Sequence, residues 1–243
     1  MNRLEAPALS SILSAAGSPS LTEVGFRDAF EPSIEAPAVA TFQPVHYEPG
    51  YAYPLVVWLH DTGQTHDSLP EVMTHISTRN YVAVAPAWEQ ACDPWREDAE
   101  GIALSEKTVL DAVDAACERF NVHGERIFLI GAGRGGTAAL RIALSWPDTF
   151  AGAASLDGPA PRGNTPLGRI NRVRGLPVMI STGDRSDRYA ESTLCEDVRL
   201  LYSAGCNLNL RHEPGDGDVT TSMLADLNRW MMDIVCASAS PTA

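Results

Sequence analysis

Seven short apolar runs, separated by stretches with helical spacing, are the feature that most limits the folds open to this chain. The runs are AVATFQPVHY (38–47), PLVVWLH (54–60), YVAVAPA (81–87), RIFLIGA (126–132), AGAASLD (151–157), PVMISTG (177–183) and NLNLRHE (207–213). Helical patterns fall near 67–79, 104–120, 135–145, 190–204 and 219–236; in the second of these Val109, Leu110, Val113, Ala116 and Phe120 share one face. Near-continuous Val, Ile and Leu describe strands covered on both faces, as in a parallel sheet. Strands alternating with helices then predict an α/β class protein with a doubly wound, mostly parallel sheet. The pattern predicts a single domain over 38–238, an N-terminal extension over 1–37 and a tail over 239–243. Leu9, Ile12 and Leu13 could form one short amphipathic helix in the extension.

A chain of 243 residues, 44% of them hydrophobic, has enough apolar material for one large core. Its 31 acidic residues against 18 basic ones give a formal charge of -13. Such a surface repels phosphate backbones and anionic lipid, so neither nucleic acid nor a membrane is an expected partner. The five cysteines, Cys92, Cys117, Cys195, Cys206 and Cys236, are scattered, odd in number and never in a C-x-x-C pair. That pattern describes reduced thiols, most of them small core residues, in a cytoplasmic protein. Residues 6–17, after a single Arg3 and with Glu5 intervening, fall short of a signal peptide.

In doubly wound sheets the ligand lies beyond the carboxyl ends of the strands. The residues there include His60-Asp61-Thr62-Gly63, Gly131 to Gly136, Asp157-Gly158, Gly183 to Asp187 and Glu213 to Asp218. The richest is the strand–turn–helix segment RIFLIGAGRGGTAALRIAL, which has two readings. As a nucleophile elbow, G-x-S-x-G, it would put Gly133 where serine belongs. As a dinucleotide turn, G-x-G-x-x-G, it would use Gly131, Gly133 and Gly136, with Asp157 as the acid for the ribose. Context separates them: the dinucleotide turn normally follows the first strand of its unit, and here at least three strands come before it.

The strand Tyr53 to His60 resembles the oxyanion-loop strand of the phospholipase/carboxylesterase-like esterases of the α/β-hydrolase superfamily. Gly135 to Arg141, Trp146-Pro147, Phe150 to Gly152 and Ser155 to Pro159 resemble that family's elbow helix and next strand, and Asp226 to Met231 its last helix. The resemblance spans about residues 40–236 and implies the α/β-hydrolase fold with a nucleophile, an acid and a histidine in that chain order. Carried over position by position, the nucleophile falls on Gly133, the acid on Asp187 (alternatively Asp184) and the histidine on Gly217; His212 is near, but on the strand itself. The oxyanion-hole amides would be those of Thr62 and Arg134, with Asp61 standing where the family has glycine. The implied triad is degenerate.

The reading that follows is a pseudo-esterase without cofactor or metal, acting on an unknown protein or small-molecule ligand as a binding or scaffolding protein. An esterase using non-standard groups and a dinucleotide-binding protein remain as alternatives. His60, Asp61, Asp157, Asp184 and His212 are the pocket candidates. His60-Asp61 and His66-Asp67 could hold a divalent ion, but Asp67 as a helix cap is the simpler role. Asp157, Asp184, Asp187, Asp216 and Asp218 would suit a cation if they converged. Finally, Asp61 is expected to accept the amides of Thr62 and Arg134 and plug the hole, because buried amides without partners are costly.

Overall fold

The computed structural model describes residues 39–87, 98–162 and 170–239. The expected extension lies outside them, as do Cys92 and residues 240–243. Seven strands form one sheet: β1 (Val39–Phe42), β2 (Tyr53–Leu59), β3 (Val82–Pro86), β4 (Val122–Ala132), β5 (Gly152–Leu156), β6 (Pro177–Gly183) and β7 (Asn207–Glu213). Their order is β1-β3-β2-β4-β5-β6-β7. Only the outer pair β1–β3 is antiparallel.

The apolar runs are continuous because both faces are covered. Leu55, Val57, Leu59, Ile127 and Leu129 join the core under helices α2 (Ala99–Arg119), α3 (Arg134–Ser145) and α5 (Glu191–Ser203). Val56, Trp58, Phe128 and Ile130 join the opposite core under α1 (Leu69–Ile76) and α6 (Thr221–Ala239). A short α4 (Ile170–Val173) precedes β6. Successive strand residues thus alternate between two cores. Each fully buried side chain of this size contributes roughly 1.5–3 kcal/mol relative to exposure.

Several boundaries differ from the sequence pattern. β1 stops at Phe42 rather than 47, since Pro44 cannot donate to a ladder and His46 takes a positive φ of 61°. β4 begins at Val122, pairing with Tyr53 across an irregularity before Leu55. α2 starts at Ala99, where the Asp98 side chain accepts from Gly101 N at 2.8 Å. α1 is confined to 69–76, and α6 runs on to Ala239. Asp67 does not cap α1. It lies inside a 3₁₀ turn, and its own amide donates to Thr65 Oγ1. The cysteines are mostly not core: Cys117, Cys195 and Cys236 are exposed free thiols, and among the described cysteines Cys206 alone is buried.

From β2 the chain first crosses to β3 on one side, then returns to β4 on the other. The loops after β2 and β4 therefore flank the switch point, where an open α/β sheet has its crevice. Those loops carry Asp61 and Gly133.

Candidate functional site

β4 passes into α3 through a single residue, Gly133, with φ 51° and ψ −120°. This backbone is strained for any residue with a Cβ. The turn is also tight: a Cβ on Gly131 would lie 2.2 Å from the Gly135 carbonyl oxygen, and one on Gly135 would lie 2.3 Å from that of Leu59. Strand, turn and helix have the geometry of a nucleophile elbow, with Gly133 at its apex.

The space above that apex is filled. Asp61 Oδ1 accepts the amide of Thr62 at 2.8 Å and the amide of Arg134 at 3.0 Å. Arg134 N belongs to the first turn of α3, where the helix dipole favours a negative charge. A Cβ on residue 133 would sit 2.3 Å from the Asp61 carboxylate. The two amides expected to form an oxyanion hole therefore do converge, on an internal carboxylate. His60, buried just before, holds the same loop: its Nδ1 lies 3.0 Å from the Asp61 carbonyl oxygen. A carbonyl only accepts, so Nδ1 carries the proton.

The second oxygen of Asp61 pairs with Arg188 Nη1. The same guanidinium reaches Asp157, Nε to Oδ2 at 3.3 Å. Burial works against the charge on Arg188, but Asp61, Asp157 and Asp218 outweigh it and raise its pKa. Asp157 is 1% exposed with a φ of 57°, and it accepts from Thr182 Oγ1 at 2.7 Å and Ser186 Oγ at 2.9 Å. Ser186 Oγ also accepts the amides of Arg188 and Tyr189 at 3.2 and 3.1 Å, which shapes the loop after β6. Gly217, at φ 89°, closes this side: a Cβ there would lie 2.3 Å from Asp157 Oδ2.

The other expected residues lie apart. Asp187 is exposed. Asp184 is a turn residue, accepting Gly215 N at 2.9 Å. His212 is exposed on the outer strand, in a separate groove with Leu194, Cys195 and Leu210. The acids do not converge, since Asp184 and Asp216 flank Arg185 while Asp157 is turned inward. Among the described residues no three His, Cys, Asp or Glu side chains are grouped to hold a metal ion. For the dinucleotide reading, Arg134 N is bonded to Asp61, and Asp157 is buried on protein donors.

Sequence reasoning missed Arg188, Ser186 and a second ionic cluster. Asp197, fully buried on α5, accepts Ala160 N at 2.7 Å and Tyr189 Oη at 2.8 Å and pairs with Arg162. Burial, then the bond to Asp197, pushes the Tyr189 phenol well above its ordinary value. Between the two clusters a cleft of about 640 Å³ remains open beside the filled elbow.

These features define an α/β-hydrolase fold with an acid seated over the elbow. No protein-family model matches the chain. A carboxylesterase from Bacillus cereus superposes with a TM-score of 0.66 at 15% identity, covering 83% of this chain and 96% of that one. A phospholipase/carboxylesterase from Dyadobacter fermentans DSM 18053 gives 0.64 at 18% identity, covering 81% and 96%. In sequence, the chain is 31% identical over 103 residues to a protein of Nocardia uniformis subsp. tsuyamanensis described as "Putative esterase NocK". That match takes in 42% of this chain and 28% of the relative's length. The architecture is that of the phospholipase/carboxylesterase-type α/β-hydrolases, which the resemblance in the sequence implied. No described helix is long and apolar enough to cross a membrane.

Proposed function

We propose that this chain is a non-catalytic member of the esterase-like α/β-hydrolases, a pseudo-esterase that has kept a binding role. The observation that carries the proposal is the Asp61 carboxylate seated on Thr62 N and Arg134 N, in the volume a side chain at residue 133 would need. An oxyanion needs those amides in the transition state, and a fixed carboxylate both occupies and repels it. Residue 133 offers no nucleophile and residue 217 no base. Asp157 stands against Gly217 as Asp61 stands against Gly133, so both positions are blocked by an acid. The same occupancy weighs against a pyrophosphate on this turn. The free thiols fit a reducing, cytoplasmic setting.

The test is turnover of p-nitrophenyl acetate and butyrate by the purified protein. No rate above a heat-denatured control is expected, and Gly133→Ser alone should restore none. Robust turnover, abolished by substituting Asp187 or His212, would overturn the proposal and move the active site elsewhere.

A further inference from the structure

The plug closes the oxyanion hole but not the crevice, and the crevice has an unexpected lining. Its walls carry four arginines, Arg134, Arg141, Arg162 and Arg188, from three separate loops and helices, in a chain with a formal charge of -13. Three of the carboxylates paired with Arg162 and Arg188 lie underneath, and a fourth, Glu196, is exposed 3.6 Å from Arg162 Nη2. The side chains of Asp157 and Asp197 are 0% exposed and that of Asp61 is 14% exposed, whereas those of Arg162 and Arg188 are 49% and 46% exposed. The Arg134 residue is exposed and Arg141 half-buried. Pairing with a carboxylate does not exhaust a guanidinium, which has five N–H donors in a planar fork. The buried acids thus fix the guanidinium groups of Arg162 and Arg188, both about half-exposed, in place along the cleft. Ala138, Pro159 and Ala160 supply an apolar wall beside them.

We infer that this cleft binds a small organic anion, with a carboxylate or phosphate head on the arginines and a short apolar body against Ala138, Pro159 and Ala160. About 640 Å³ is ample for a metabolite-sized molecule. The geometry favours an anion over a neutral ester for two reasons. Guanidinium forks match carboxylate and phosphate oxygens in pairs. A concave site whose lining sets four arginines against one inward-turned acid, Asp157, also concentrates anions, even on a protein that repels them overall. Asp61 is an internal precedent: a carboxylate already held by two amides and one guanidinium at the edge of the same cleft. The inference rests on the binding role proposed above and names its ligand class.

The test is calorimetric titration of the full chain at low salt with hexanoate, hexyl phosphate and the uncharged hexanamide. Saturable binding of at least one anion and none of hexanamide is expected, weakened about tenfold or more by Arg141→Gln or Arg162→Gln. Arg211→Gln, on the outer strand, should leave it unchanged. A preference for hexanoate assigns a carboxylate head and a preference for hexyl phosphate a phosphate ester. Both variants are checked by circular dichroism, and the comparison with hexanamide stands without them. Equal binding of hexanamide, or no saturable heat with either anion, overturns the inference. The ester assay separates the two readings. Failure here with no ester turnover removes the ligand class alone, while turnover alongside anion binding removes the non-catalytic reading alone.

Discussion

Replacing Asp61 by alanine takes one carboxylate away from two backbone amides and one guanidinium. Charge-assisted hydrogen bonds net roughly 1.5–3 kcal/mol each where the donors stay dry. Here Thr62 and Arg134 are exposed residues, so water from the cleft can reach both amides once the carboxylate is gone. That reduces each bond to about 0.5–1 kcal/mol, near the ordinary net value. Arg188 keeps Asp157 at 3.3 Å, so the guanidinium is not stranded. The sum is a loss of roughly 1–2 kcal/mol, or a fall in Tm of about 2–8 °C for a domain of this size. Asp61→Asn, which keeps one acceptor oxygen without the charge, should lose about half as much. Urea denaturation with a fitted m value, together with calorimetric Tm, measures both. An unchanged or raised Tm in Asp61→Ala would refute the plug and leave the hole open to an outside ligand.

Gly133→Ser should destabilise by about 2–4 kcal/mol, since the residue keeps an unfavourable φ and its Cβ displaces Asp61 from both amides; a neutral denaturation midpoint would show that the turn can relax. Asp197→Ala should cost about 2–4 kcal/mol by leaving Ala160 N and Tyr189 Oη without their acceptor, while Arg162 keeps Glu196, and Asp197→Asn appreciably less, read from the same curves. The Tyr81 and Tyr189 phenols are both raised, chiefly by burial, so the protonated forms favour folding. That contribution is complete below about pH 10 and is lost as pH rises, at up to ~1.4 kcal/mol per pH unit per group, and Tyr189→Phe should flatten the decline in midpoint between pH 9 and 11. Under native conditions iodoacetamide should modify Cys195 and Cys236 well before Cys206, whose thiol is buried and raised in pKa; peptide mapping that finds Cys206 labelled first would contradict the fold there.

The sheet was legible in the sequence because covered strands have no polar face to hide, and the two-sided burial of Tyr53–Leu59 in β2 and of residues 127–132 in β4 is written in their apolar runs. The turn was legible because few sequences place four glycines around one strand–helix junction. Element ends were less so: β1 is cut short by Pro44 and His46, whereas Asp98 extends α2 backwards by a capping bond that no apolar periodicity signals. Asp61 could be suspected from its place after the strand. Arg188 could not: its partners lie 127 and 31 residues away in the chain, in loops without periodicity. The sole sign of it was a polar loop at a carboxyl end of the sheet. Asp197 was hidden for the opposite reason, as it sits inside a helical pattern where an acid is usually a solvated face.

On the non-catalytic reading proposed above, the arrangement of the two acids also limits how triad chemistry could be built on this fold. A serine at 133 meets Asp61, and a histidine at 217 meets Asp157, each at a Cβ distance of 2.3 Å. Arg188 ties the two acids together, so removing one leaves the guanidinium pulling on the other. Removing either acid leaves the half-exposed Arg188 with the other as its partner, so the cost of one loss depends on whether the other acid is present. A serine at 133 or a histidine at 217 would therefore have to displace Asp61 or Asp157, so restoring a triad calls for changes at the acids as well as at the glycines. Interaction energies of roughly 0.5–3 kcal/mol are usual for groups in one such network, against a scatter of about 0.3–0.5 kcal/mol for unconnected sites. A double-mutant cycle on Asp61→Ala and Asp157→Ala reads this directly. Coupling through Arg188 predicts clear non-additivity in the unfolding free energy. Strict additivity would mean that Arg188 does not couple the two acids.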